Sequence, residues 1–113
     1  MVVYKTSSRN INNIKNKIIP NNIVICYYYT NKCPYCIMIK GLWKEICEEY
    51  QNNKKIILIS IKREDMLQLD ENMHIDLIPT FLAYNKGKKI GEFKKKREYE
   101  NIINFINKYE NKI

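Results

Sequence analysis

Residues 30–36 read TNKCPYC, and the reading of the whole chain turns on them. Immediately before them, Ile23–Tyr29 is a run of β-branched, aromatic and other apolar residues, the pattern of a strand covered on both faces. Immediately after them, Ile39, Leu42, Trp43, Ile46 and Tyr50 recur at helical spacing and mark one apolar face. A strand that delivers a Cys-x-x-Cys pair to the start of a helix is the sequence form of a dithiol redox site. Unpaired backbone N–H groups and the positive helix end favour a thiolate on the first cysteine, Cys33. The second, Cys36, follows about one turn later, within reach of a mixed disulfide formed on the first. Cys33 is therefore read as the nucleophile and Cys36 as the resolving thiol. Pro34 suits the first helical turn, where its missing N–H costs nothing. Tyr35, between the two cysteines, is expected to face solvent or substrate.

Working outward, Val2–Lys5 reads as a short edge strand, and Ile11, Ile14 and Ile18 predict a helix over Ile11–Ile19 that Pro20 stops. Downstream of the dithiol helix, Asn52–Asn53 predicts a turn and Lys55–Ile61 a second buried strand. Glu64–Glu71 then reads as a short helix and Phe81–Tyr84 as a strand. Asn85–Lys86–Gly87 is a hairpin signal with Lys88–Lys94 as the returning strand, and Ile102, Ile103, Phe105, Ile106 and Tyr109 give an amphipathic terminal helix. The order is βαβαβαββα, an α/β arrangement with a mixed central sheet flanked by helices, expected to form one domain over residues 1–113. Gly41 interrupts the dithiol helix and is expected to let it bend.

Four cysteines in 113 residues are too few and too unevenly spaced for a secreted disulfide framework. The start, MVVYKTSSRN, lacks the apolar stretch of a signal peptide, and no run is long enough to cross a bilayer. A reducing, cytoplasmic setting is expected, with no membrane partner. The net charge of +8 favours acidic partners, but its lysines are spread along the chain, so nucleic acid is not expected as a ligand. Cys26, Cys47 and His74 do not supply the second ligand pair of a zinc site, and no metal is expected. Cys26 and Cys47 read as core fillers, Trp43 as core, and His74 as an exposed loop residue. Tyr27–Tyr29 alternate along a strand, so one or two of them are expected in the core.

The element order, the Cys33–Cys36 pair, Ile78-Pro79-Thr80 and the Phe81–Gly91 hairpin with Gly87 at its turn together resemble the thioredoxin family over roughly residues 20–110. The resemblance implies the thioredoxin fold, a cis peptide bond before Pro79, and a substrate groove formed by Pro34, Tyr35, Ile78 and Pro79. It implies a thiol–disulfide oxidoreductase that acts on protein disulfides without metal or organic cofactor. A thioredoxin reductase or glutathione would restore the dithiol, and the chain is expected to work as a monomer.

The departures from that pattern define the rivals. Cys33-Pro34-Tyr35-Cys36 is similar to the dipeptide of dithiol glutaredoxins, whereas Leu77-Ile78-Pro79 and the separated Gly87 and Gly91 do not match their glutathione-binding features. Tyr27 stands where thioredoxins place a buried aspartate, its lysine companion falls near Ser60, and Lys32 replaces the tryptophan before the first cysteine. The glycine near the active site after the last strand is replaced by Lys94 or Lys95. A glutathione-dependent glutaredoxin is the first alternative, and a non-catalytic basic binding module the second. The clusters Lys86–Lys89 and Lys94–Arg97 have two readings: lysines that protect a sheet edge from pairing, or a basic rim beside the dithiol that selects acidic substrates.

Overall fold

The computed structural model describes residues 3–32, 34–69 and 78–110. Five strands form one sheet: β1 (Val3–Lys5), β2 (Ile23–Tyr29), β3 (Ile56–Lys62), β4 (Thr80–Asn85) and β5 (Lys88–Glu92). Their order is β1-β3-β2-β4-β5, with β1, β3 and β2 parallel to one another and β4 and β5 antiparallel additions. Helix α1 runs through Ile11–Asn13, a π segment Ile14–Ile18 and Ile19–Asn21. Helix α2 is Pro34–Tyr50, α3 is the short Met66–Leu69 after a 3-10 turn at Arg63–Asp65, and α4 is Tyr99–Glu110.

The central position of β2 follows from its composition. Ile25, Tyr27 and Tyr29 point into one cluster with Cys36, Ile39, Trp43 and Ile46 of α2 and Ile102, Ile106 and Tyr109 of α4. Val24, Cys26 and Tyr28 point to the opposite cluster, with Ile11 and Ile14 of α1, Ile59 and Ile61 of β3, and Met66 and Leu69. All three consecutive tyrosines are therefore buried, not the one or two expected from alternation, because each sheet face has its own layer of helices.

Pro20 does not end α1. The helix continues to Asn21, and the wide π turn before the proline accommodates a residue with no N–H and a ring that would crowd the carbonyl four residues back. The side-chain amides of Asn21 and Asn22 donate to the carbonyls of Lys17 and Ile18, each at 2.8 Å, so residues poor in helix propensity serve as its C-terminal caps. Gly41 leaves α2 unbroken from Pro34 to Tyr50.

The β3 strand lies one residue later than Lys55–Ile61, and β1 is Val3–Lys5 within the expected Val2–Lys5. The hairpin turn is as its residues require: Lys86 and Gly87 both have positive φ, 50° and 85°, the pattern that joins two twisted antiparallel strands in two residues. β5 ends at Glu92, earlier than Lys94, because Phe93 turns to pack edge-on against Phe81 and Phe105, both with ring centroids 5.6 Å away. Residues 70 and 71 of the expected short helix, and His74, lie outside the described residues.

Candidate active site

The site is set by where β2 stops. Its last residue, Tyr29, pairs with Lys62 at the end of parallel β3, and Tyr28 pairs with Thr80 at the start of β4. The carboxyl end of the central strand, the start of α2 and the Ile78–Pro79 loop thus share one end of the sheet, the end where open α/β sheets place their sites. Cys33 lies outside the described residues; in sequence it immediately precedes α2. Cys36 is buried in the first turn of α2, while Pro34 and Tyr35 are exposed. The Ile78–Pro79 peptide bond is cis. Ile78 packs against the same cluster that holds Cys36, and Pro79 is buried beside it in the chain. The expected site residues Tyr35, Cys36, Ile78 and Pro79 are thereby gathered at one end of the fold.

Behind Cys36 the interior is aromatic. Tyr27 stacks on Phe81 at 4.9 Å and on Tyr29 at 5.5 Å, and tilts against Trp43 at 5.0 Å. Ser60 is directly opposite Tyr27 in the β2–β3 register, and its hydroxyl oxygen accepts a 2.7 Å hydrogen bond from the Trp43 indole N–H. A neutral pair therefore stands here: Tyr27 where the resemblance places an aspartate, and Ser60 near where it places a lysine. The Tyr29 hydroxyl is buried with no hydrogen-bond partner, and burial first, then Asp65 and Glu64, raise its pKa above the usual phenol value. The ammonium of Lys5 sits 5.9 Å above the Tyr29 ring.

The other two described thiols lie apart from this chemistry. Cys26 faces the opposite sheet layer, where burial pushes its pKa up to about 12 despite a hydrogen bond with Tyr28. Cys47, partly buried against the α2 layer, is also pushed up to about 12, by desolvation and then by Glu48. Both are therefore protonated, weak nucleophiles at neutral pH. A 270 Å³ cavity lined by Glu49, Tyr50, Tyr99 and Glu110 adjoins the far end of α2, about 21 Å along the helix from Cys36. Among the described residues, no group of three or more His, Cys, Asp or Glu side chains could hold a metal ion, and no helix is long and apolar enough to cross a membrane.

A model of the thioredoxin family matches residues 2–108. The chain belongs to the thioredoxin family. Mouse thioredoxin is 27% identical over 73 residues, covering 65% of this chain and 67% of the mouse protein. Among solved structures, thioredoxin from Malassezia sympodialis superposes with a TM-score of 0.76 at 18% identity, covering 97% of this chain and 95% of that one. The J-Trx1 fragment of ERdj5 superposes at 0.75 and 15% identity; this chain spans only 52% of that fragment, and 96% of this chain is covered. Membership carries the α/β thioredoxin fold and, in general terms, a thiol–disulfide oxidoreductase role.

Two features of the site escaped the sequence reading. Arg97, placed in a basic cluster, donates from Nη2 to the carbonyl of Pro79 at 2.7 Å and ties the segment after β5 to the cis-proline loop. Nothing in the sequence marks that bond, which joins residues 18 positions apart. Ile37 and Met38 are exposed beside Tyr35. That was readable, since both fall off the Ile39–Trp43–Ile46–Tyr50 stripe.

Proposed function

We propose that this chain reduces protein disulfides through Cys33 and Cys36. The observation that carries the reading is the burial of Cys36 in the first turn of the helix that follows the central strand, in a thioredoxin-family frame. The Cys33 thiolate attacks one sulfur of a substrate disulfide; a new S–S bond forms, the old one breaks, and the released thiolate takes a proton. The Cys36 thiol then gives up its proton and attacks the Cys33 sulfur, expelling the second substrate thiolate. Two electrons pass to the substrate and Cys33–Cys36 becomes a disulfide. An external thiol or a reductase must return those electrons.

Reduction of insulin by the protein with dithiothreitol as electron source tests the activity, and absence of acceleration over dithiothreitol alone would leave the binding-module reading. Cys36→Ser should accumulate a mixed disulfide with substrate, whereas Cys33→Ser should form none. Regeneration by a thioredoxin reductase with NADPH, compared with regeneration by glutathione, separates the thioredoxin-type reading from the glutaredoxin-type one that Pro34–Tyr35 suggests.

A further inference from the structure

We propose that the basic segment Lys94–Arg97 forms one wall of the substrate groove and selects disulfide-bonded proteins with acidic residues beside the disulfide. The proposal rests on the thiol–disulfide reading above. The structure separates two basic clusters that look equivalent in sequence. Lys88 and Lys89 lie on the edge strand β5, Lys86 is in its turn, and Asn85 pairs with Ile23, so this cluster sits at the end of the sheet away from α2's start. Edge protection accounts for it. Lys94–Arg97 lies beyond the end of β5, so it blocks no edge pairing. Because β5 runs antiparallel to β4, this segment emerges where β4 begins, at the end that carries Pro79 and the first turn of α2.

Two anchors hold the segment there. The Phe93 N–H donates to the Phe81 carbonyl at 3.0 Å, and the Arg97 guanidinium donates to the Pro79 carbonyl at 2.7 Å. Lys94, Lys95 and Lys96 are exposed between them, and the Asn101 side chain braces the Lys96 carbonyl at 3.1 Å. Of the acidic residues around this segment, Glu92 is engaged by Lys89 at 3.3 Å and Glu98 directly follows Arg97. Glu64 and Asp65 act on Tyr29 from the far side of β2, so the positive charge of Lys94–Lys96 is confined to the β4–β5 side of this end. Lys32, exposed just before the dithiol, adds positive charge to the same end. The first turns of α2 contribute apolar surface: Tyr35 is 65%, Ile37 63% and Met38 76% exposed, three large side chains left to solvent on either side of the buried Cys36. The partner that fits is a polypeptide with an apolar side chain for that turn and carboxylates for the lysine wall. Complementary rim charge raises the encounter rate more than the final affinity, and salt removes the advantage.

Two peptides with one internal disulfide, identical except for flanking Glu or flanking Lys residues, test this with the pre-reduced full chain in single-turnover reactions. The Glu-flanked peptide should be reduced about tenfold faster at about 0.01 M salt, and the gap should close near 1 M, where charges are screened beyond about 3 Å. Lys94/Lys95/Lys96→Gln should abolish the preference at low salt, and Lys95→Gln should weaken it. The control Lys86/Lys88/Lys89→Gln, which removes equal charge at the opposite end, should keep it. Equal rates for the two peptides in the unmodified protein overturn the proposal. A preference lost equally in the control also overturns it, assigning the effect to net charge. Failure to reduce even dithiodipyridine, an uncharged small disulfide, would show that the thiol–disulfide reading itself is wrong.

Discussion

Trp43, on the helix that carries Cys36, donates its indole N–H to the hydroxyl oxygen of Ser60 on β3 at 2.7 Å. This bond crosses between helix layer and sheet inside an aromatic cluster, where an unmatched indole N–H would be costly. Ser60→Ala should therefore destabilise the protein by about 1–3 kcal/mol. A urea titration followed by Trp43 fluorescence measures it. A loss well under 0.5 kcal/mol, about the scatter expected of neutral surface changes, would mean that the bond contributes nothing net.

The buried thiol of Cys26 gives a pH signature. Its folded pKa is raised from the ordinary 9.0 to about 12, so the folded state keeps a proton that the unfolded chain releases. The associated stability is fully present below about pH 9 and is lost as pH rises from about 9 to about 12, with a slope of about 1.4 kcal/mol per pH unit. Cys26→Ala removes that group, and its stability should fall less steeply over the same window. Parallel alkaline limbs for the two proteins would refute the assignment.

The two glycines Gly41 and Gly91 should respond to alanine in opposite directions. Gly41 is exposed in the middle of α2, and an added Cβ would meet nothing within 4 Å. Gly41→Ala should stabilise by about 0.5–1 kcal/mol. At Gly91 a Cβ would fall 1.7 Å from the hydroxyl oxygen of Tyr109, a buried side chain that would have to shift. Gly91→Ala should destabilise by about 1–3 kcal/mol. Thermal melts of both variants decide the matter; a stabilised Gly91→Ala would mean that Tyr109 repacks freely.

The redox potential follows from the Pro34–Tyr35 dipeptide and from charge at the start of α2. Its first turn carries no acidic residue, and Lys32 adds a positive charge just before it. Both favour the Cys33 thiolate, hence the reduced pair, and make the couple more oxidising. A potential of about −200 to −230 mV is expected, against about −270 mV for thioredoxin, with Pro34–Tyr35 between the cysteines supplying most of the difference. Lys32→Gln should shift it negative by about 6–20 mV, given about 0.3–1 kcal/mol for one charge at a solvated helix end. Equilibration with a glutathione buffer measures both, and a value at or below about −270 mV would refute the expectation.

The chain by itself determined the fold and the identity of the thiols to test. Ile23–Tyr29 announces a strand buried on both faces because seven β-branched, aromatic and other apolar residues run without a polar break over a strand's length, and TNKCPYC places a dithiol at the following helix. The hairpin was equally legible, since Lys86–Gly87 meets a local backbone requirement that neighbouring residues alone decide. The remaining features depend on partners distant in sequence. That Pro20 continues α1 depends on a π turn absorbing the proline, and that β5 stops at Glu92 depends on Phe93 meeting Phe81 and Phe105. The assignment of Trp43 to Ser60 and of Arg97 to the Pro79 carbonyl depends on side chains arriving from separate elements. Local propensity and periodicity act over a few residues and can be read along the chain. Hydrogen bonds and ring packing between elements form only once the sheet has brought their partners together, and they distinguish the lysines of the sheet edge from those of the segment tied to the Pro79 loop.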